Sequence, residues 1–432
     1  MTKQLRMQSG SSKNQDLTFV RCFLSDLLDN VSPFRVIPNI LGSSWWQKDE
    51  GLMFLEPETL AEYRDIRQKL LEKFAPDEDL SESAIDSALR TAVFEVVDIP
   101  KRRDQNLSVR LDHALEKLRT FLASPSEEYE CWIEVGGLDV VSLPTCFGGV
   151  RFIVFGAEQI QNLKEAGQKK HIIGQLEGFI DLLTDRLLDR PTAVVRVNAR
   201  DKKAALSLAE RKVRAIIECL NFFSDTISGY HGWLFLPTNQ ESPSEVARLA
   251  VSDSGSMETD YSDDRPVGIF SIAEVRENAE EMVRCAFDRV ESLLEKSRND
   301  VDELLLTAIR WAGRATVART REESFLLFVI ALECLVLPTE KDKLRSRLSQ
   351  RVARLCGEDM DQRLELAKRT KKLYDVRSKI VHSGHYEVTE DERDEIRIAA
   401  KVVILRLLTD PDVEKYGKLD KLHEYFERLT FK

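Results

Sequence analysis

Apolar positions fall into two regimes along the chain. Up to about residue 300 they gather in short runs rich in β-branched and aromatic residues. These are T-A-V-F-E-V-V-D-I (91–99), C-W-I-E-V (131–135), V-R-F-I-V-F-G (150–156), A-V-V-R-V (193–197), G-W-L-F-L-P (232–237) and V-G-I-F-S-I (267–272). Most are bounded by Gly, Pro, Asn or Asp, so each predicts a strand. Helical spacing occupies 158–190 and 204–223. The strand at 193–197 running into the second of these predicts a β-α unit.

From about residue 274 the helical period takes over, and start signals accompany it. A helix over 274–297 is followed by five more. Asp300 can cap 301–318, and Thr320 with Glu323 forms a capping box for the apolar helix that stops before Pro338. Thr339 with Asp342 opens a helix to about Leu355. A long helix follows Asp359 and ends at Gly384, and Thr389 with Glu392 opens 390–409 ahead of Pro411. The predicted fold class is α+β: a mixed α/β region over 17–290, then an all-helical bundle over 300–432. Residues 1–16 are polar and predict a disordered tail. Residues 238–266, acidic and rich in Ser, predict an exposed flexible loop.

Composition narrows the class. A chain of 432 residues has room for two or three domains. No apolar run approaches the roughly 18 to 20 residues that span a bilayer, and the N-terminus carries no secretory pattern. The expectation is a cytoplasmic protein without a membrane partner. The seven cysteines are scattered and form no C-x-x-C, which predicts buried free thiols in a reducing compartment. No H-E-x-x-H, P-loop or G-x-S-x-G is present, so no metal and no cofactor is expected. The net charge is −11, yet residues 341–379 hold 13 basic against 6 acidic residues. That patch suits a phosphate-bearing partner, although a solvated helix face would look the same by charge alone.

One stretch carries chemistry: L-Y-D-V-R-S-K-I-V-H-S-G, closing the long helix. At 100° per residue Leu373, Val376 and Ile380 form the core stripe, and His382 points away from it with Ser378 one turn below. Arg377 sits on the flank, and Tyr374 and Val381 lie off the stripe. Arg377 and His382 are about 140° apart around the helix, so two copies packed alongside would gather what one chain separates. Such a cluster has what metal-free RNA cleavage requires. An imidazole can take the 2′-OH proton or protonate the leaving oxygen. A guanidinium fork can hold the scissile phosphate. DNA lacks the 2′-OH, so the mechanism would be specific to RNA. Taken alone, a short R-x(4–6)-H spacing is expected about once by chance.

The surrounding residues add to it. The R-S-K-I-V-H motif at a helix end, the preceding helix F-L-L-F-V-I-A-L-E-C-L with Glu333 late in it, and the basic helix between together resemble the HEPN superfamily, most closely its Apea-like branch. The resemblance covers about 300–410. It implies that Arg377 and His382 are a catalytic pair of a metal-independent ribonuclease acting across a homodimer. Ser378 takes the position after the arginine, where many active relatives carry Asn or Asp. Glu333 matches an acidic position of the branch and could be a buried partner for a basic group. Tyr374 and Lys379 flank the pair as supporting residues. Antiviral defence or growth arrest is the implied setting, with the N-terminal region sensing a trigger or selecting RNA. The rival expectation is a non-catalytic module that dimerises and binds RNA, nucleotide or a protein.

The other candidates are weaker. His385 reads as a loop residue, and His113, His171, His231 and His423 read as structural. Trp45 and Trp46 could stack a base, though such a pair more often divides between core and surface. Gly148–Gly149 reads as a strand-connecting turn rather than a phosphate loop.

Overall fold

The computed structural model describes residues 17–30, 45–48, 51–54, 57–97, 107–169, 187–224, 234–236, 245–252, 257–263, 269–296, 298–318, 320–338, 340, 342–383 and 386–430. The predicted tail at 1–16, together with His171, His231 and His385, lies outside the described residues. The chain is α+β and mostly helical. It divides into two compact units: residues 1–129 with 197–208 and 251–258, and residues 130–196 with 209–250 and 259–432.

In the first unit, helices α1 (Thr18–Asn30), α2 (Pro57–Phe74), α3 (Glu82–Val97) and α4 (Leu107–Leu122) share one core, and β1 (Trp45–Lys48) pairs antiparallel with β2 (Gly51–Phe54). Of the run at 91–99, predicted as a strand, residues 91–97 belong to α3, and 98–99 lie outside the described residues. Its apolar residues continue the helical series Ile85, Leu89, Ala92, Val93 and Val96, all buried. That 3- and 4-residue spacing outweighs the local β propensity of its valines. Arg200 ties a later segment to this core. It donates to both Asp79 oxygens at 2.8 and 2.6 Å, to the Leu122 carbonyl at 2.8 Å and to the Phe74 carbonyl.

Six strands form one sheet: β3 (Glu127–Glu134), β4 (Thr145–Phe147), β5 (Val150–Val154), β6 (Pro191–Ala199), β7 (Glu245–Ser252) and β8 (Met257–Asp263), in the order β4-β5-β6-β3-β7-β8. The β4–β5 hairpin turns on Gly148 and Gly149, with φ of 58° and 71°. Both residues need the left-handed region, which is why two glycines stand there. They form the strand-connecting turn expected of them.

Three predictions change here. Two stretches of the predicted acidic loop, 245–252 and 257–263, are β7 and β8. The stretch E-V-A-R-L-A-V-S, with five apolar residues in eight, carries a strand, and the Ser, Asp and Gly residues that suggested a loop cluster between the two. Among the described residues, the runs at 232–237 and 267–272 contribute single bridges, Phe235 to Gly136 and Phe270 to Leu138. The helix predicted over 158–190 is described as α5 (Ala157–Lys169), with 170–186 outside the described residues. The β-α unit is present: β6 runs into α6 (Lys202–Phe223).

The C-terminal part is helical throughout: α7 (Ile272–Asn278), α8 (Glu281–Glu295), α9 (Asp300–Thr316), α10 (Arg321–Val336), α11 (Leu344–Cys356), α12 (Met360–Ser383), α13 (Glu390–Thr409) and α14 (Leu419–Thr430). α10 is apolar all round and packs against α9, α11, α12 and α13, as a central helix must. Phe287 of α8 joins the bundle to the sheet side, with ring centroids 4.6 Å from Phe147 and 5.1 Å from Phe223. At Gly313 of α9 a Cβ would lie 1.7 Å from the Glu218 carbonyl oxygen, so only glycine allows this approach to α6. Among the described residues no helix is long and apolar enough to cross a membrane.

The start signals place most helices to within a residue or two. The single helix predicted over 274–297 is two, α7 and α8, because Ala279 turns extended between them. The cap of α9 is Asn299, not Asp300, in a capping box with Asp302. Thr320 caps α10, and Thr389 with Glu392 forms a complete box on α13. The predicted box at Thr339 does not open α11, which starts only at Leu344 after a left-handed Lys343. Thr339 itself and Gly384 lie outside the described residues. Of the cysteines, Cys131 and Cys219 are buried, and burial pushes both thiols up to about 12. Cys22, Cys146 and Cys285 are exposed instead of buried, each alternating with core residues on the outer side of its element.

Candidate functional site

The site grows from the last turns of α12. Leu373 and Val376 are buried with 4% and 6% of their surface exposed, and Ile380 is half-buried, so the core stripe runs where the sequence placed it. Burying these apolar side chains is worth about 1.5 to 3 kcal/mol each, which holds the rotation of the helix. His382 is therefore exposed in the final turn, and Ser378 is half-buried one turn below. Val381 is 53% exposed.

Arg377 turns from the flank towards α10. Its guanidinium donates to Oε2 of Glu333 at 3.4 Å and lies 5.8 Å from the Tyr374 ring centroid. Glu333 is thus the acidic partner of a basic group. Its second oxygen, Oε1, is buried without a hydrogen-bond partner among the described residues. Partial burial and the Glu333 carboxylate raise the pKa of Tyr374, with Arg377 offsetting part of the rise. Glu333, Tyr374 and Arg377 form one cluster. His382 stands apart from it on the same helix end, with no side-chain partner among the described residues.

The loop beyond the motif is anchored. Glu322, in the first turn of α10, accepts from the Val388 backbone at 3.0 Å, and this bond holds its carboxyl below the usual range. Val388 is fully buried, and the Tyr386 hydroxyl donates to Glu392 at 2.9 Å. Lys379 lies over the Tyr386 ring, 5.2 Å from its centroid. The helix end and the loop are therefore pinned from both sides. Asp375 is paired with Arg345 of α11 at 2.5 Å, which leaves Glu333 as the acid facing Arg377.

Several groups escaped sequence reasoning. His423 of α14 is not isolated: its Nδ1 lies 3.2 Å from Glu340 and its Nε2 4.0 Å from Glu427. Glu340 also holds Arg351 at 2.6 Å, both side chains being almost wholly buried, and Arg351 lies over the Phe426 ring. This network fastens α14 to α11. Its members are far apart in sequence, so no local signal announced it. Lys401 of α13 is buried and donates to the Phe222 carbonyl at 2.7 Å, and burial pushes its ammonium down to about 7. His113 lies 3.4 Å from Glu95. Trp45 and Trp46 belong to β1. No cluster of three or more His, Cys, Asp or Glu side chains able to hold a metal is found among the described residues. No protein-family model matches this chain, and no curated protein or solved structure does either.

Proposed function

We propose that the C-terminal helical bundle is a metal-independent HEPN-type endoribonuclease that acts as a homodimer, with Arg377 and His382 as its catalytic pair. The observation that carries this reading is the pairing of an exposed His382 with an Arg377 held in place by Glu333, both at one helix end. His382 serves as the general acid or base at the ribose 2′-OH and the leaving oxygen. Arg377 binds the scissile phosphate, and Glu333 aims its guanidinium. Because Arg377 turns inward and His382 outward, one copy does not surround a phosphate. A second copy of α12 set against the first completes the site, and the exposed Val381 lies on the surface it would cover. The N-terminal region senses a trigger or selects the RNA, in a defence or growth-arrest setting.

A second reading keeps the dimer and drops the chemistry: a non-catalytic module that binds RNA, nucleotide or a protein partner. Arg377 engaged by an acid, with Ser378 rather than Asn or Asp beside it, favours that alternative. The two separate on one assay. Purified full chain in EDTA is given RNA and the matching DNA, beside His382→Ala and Arg377→Ala. RNA cleavage by the wild type alone supports the enzyme. Equal inertness of folded, dimeric proteins, with cell extract added as a source of triggers, supports the module.

A further inference from the structure

α9 carries two arginines that the cleavage pair does not use, and one buried carboxylate holds both. Gly313 lets the backbone of α6 come against α9 at Glu218. That approach sets the Glu218 side chain, only 11% exposed, beside Arg310 and Arg314. One carboxylate oxygen meets Nε of Arg310 at 2.6 Å, and the other lies 4.0 Å from Nε of Arg314. The two arginines are one turn apart on one face of the helix, so their side chains are neighbours. The Arg314 guanidinium also lies over the Trp311 ring, 4.5 Å from its centroid. Because Glu218 is met through Nε, the terminal Nη groups of both arginines make no hydrogen bond among the described residues. Both side chains are nearly half exposed, at 44% and 46%.

Two guanidiniums against one carboxylate leave a local excess of one positive charge. The neighbouring acids are accounted for. Glu303, two turns before Arg310 on the same face, pairs with Arg298 at 3.1 Å. Glu210, two turns before Glu218 on α6, pairs with Arg214 at 3.0 Å. Asp300 stands about 15 Å along the axis from Arg310, beyond the reach of unscreened attraction. At the start of α10, Arg321 offsets Glu323, and Glu322 is bound to the Val388 backbone.

We propose that Arg310 and Arg314 form a clamp for a single terminal phosphate group of a small molecule, with Glu218 holding both forks. A guanidinium fork matches the oxygens of a phosphate. Two forks whose Cβ atoms are about 5 to 6 Å apart meet one phosphate rather than a row of them. Towards the start of α9 the next charges are the mutually neutral Arg298 and Glu303, and beyond Arg314 the helix ends at Val317. A polymer therefore finds no second phosphate contact along this helix. Anchoring on Glu218 and Trp311 orders the guanidiniums before the ligand arrives, which lowers the cost of binding. The inference does not depend on the reading of Arg377 and His382.

The test is calorimetric titration of full-length protein, in chloride buffer, with inorganic phosphate, ribose 5-phosphate and adenosine 5′-monophosphate. Saturable binding at one site per chain is expected. Arg314→Gln keeps the Arg310–Glu218 bond and the fold, and should weaken binding about 10-fold or more, the scale of a lost charged hydrogen bond. Arg310→Lys keeps a cation beside Glu218 but removes a fork, and should weaken binding in the same direction. Lys418→Gln, placed elsewhere, should change nothing. Equal affinity for the two organic phosphates assigns recognition to the phosphate alone. Tighter binding of the nucleotide, with the gain lost in Trp311→Leu, assigns the base a place on that ring. Absence of saturable binding by all three compounds overturns the clamp. So does binding that neither arginine variant weakens while both remain folded by circular dichroism. A last arm compares 5′-phosphorylated and 5′-hydroxyl oligouridine in a His382→Ala background. Equal binding of the two, lost in Arg314→Gln, would mean contacts to the polymer backbone and also overturns a terminal-phosphate clamp.

Discussion

Arg377 of α12 and Glu333 of α10 meet at 3.4 Å, and through that ion pair the central helix of the bundle sets where the motif arginine points. The pair is only partly buried, with side-chain exposures of 29% and 21%. Its value lies more in orientation than in stability, since pairs this accessible contribute about 0 to 1 kcal/mol.

Glu333→Gln should therefore leave the fold intact and act on function. If Arg377 needs this aim, cleavage falls roughly 10- to 100-fold. The Tyr374 pKa also drops, because a carboxylate that opposes its ionisation is gone, although burial keeps part of the rise. NMR titration of ring-labelled tyrosine, read beside the cleavage rate, checks both effects. An unmoved Tyr374 titration would contradict the cluster as described.

Arg351→Ala should destabilise the protein by about 3 to 5 kcal/mol, because it leaves the buried Glu340 carboxylate without its closest cation. It also removes the cation over Phe426 and the bond to Glu427. Chemical denaturation measures the loss. Hydrogen exchange should show α14 opening first.

Lys401 makes stability depend on pH in a definite direction. Its folded pKa lies near 7 against about 10.5 unfolded, so between these values the unfolded chain binds more protons. Stability therefore rises with pH across that window, by about 2 kcal/mol from pH 7 to pH 9. Lys401→Met should abolish this rise. Denaturation curves at the two pH values, for both proteins, decide it.

Glu322 acts with the same sign at the acid end of the range. Its carboxyl is held low by the Val388 backbone bond, so the contribution is present above the ordinary carboxylate range and lost as pH falls through the folded value. Protection of the Val388 amide, its exchange rate relative to that of the unfolded chain at the same pH, should fall as the Glu322 carboxylate is protonated. In Glu322→Gln that acid-dependent step should be absent.

How much of this was written locally differs from region to region. The capping residues Thr320, Thr389 and Glu392 mark their helices because a cap is made by neighbours three residues apart. The core stripe of α12 was legible for the same reason: Leu373 and Val376 repeat at the helical period. The valines of α3 misled because β propensity is a local tendency, whereas the helix is fixed by residues as far back as Ile85 packing into a shared core. β8 was hidden by its polar composition, and β7 by the Ser, Asp and Gly residues that follow it. The ion pair from Arg377 to Glu333 spans 44 positions, and the Glu340–Arg351–His423 network joins three elements. Such contacts exist only once the bundle has formed. The sequence offered Glu333 as a partner for a basic group, but the contacts of Glu340 with Arg351 and His423 had no local signal.

The most direct measurement is the end chemistry of RNA treated with purified full-length protein in EDTA. A 2′-OH attack assisted by His382 leaves 2′,3′-cyclic phosphates on the upstream fragments. Those ends should appear with the wild type and fall by about 100-fold or more in His382→Ala, the usual scale of a lost general acid or base. Cleavage that survives His382→Ala unchanged, or that requires added divalent metal, would contradict the assignment of this helix end as the catalytic site.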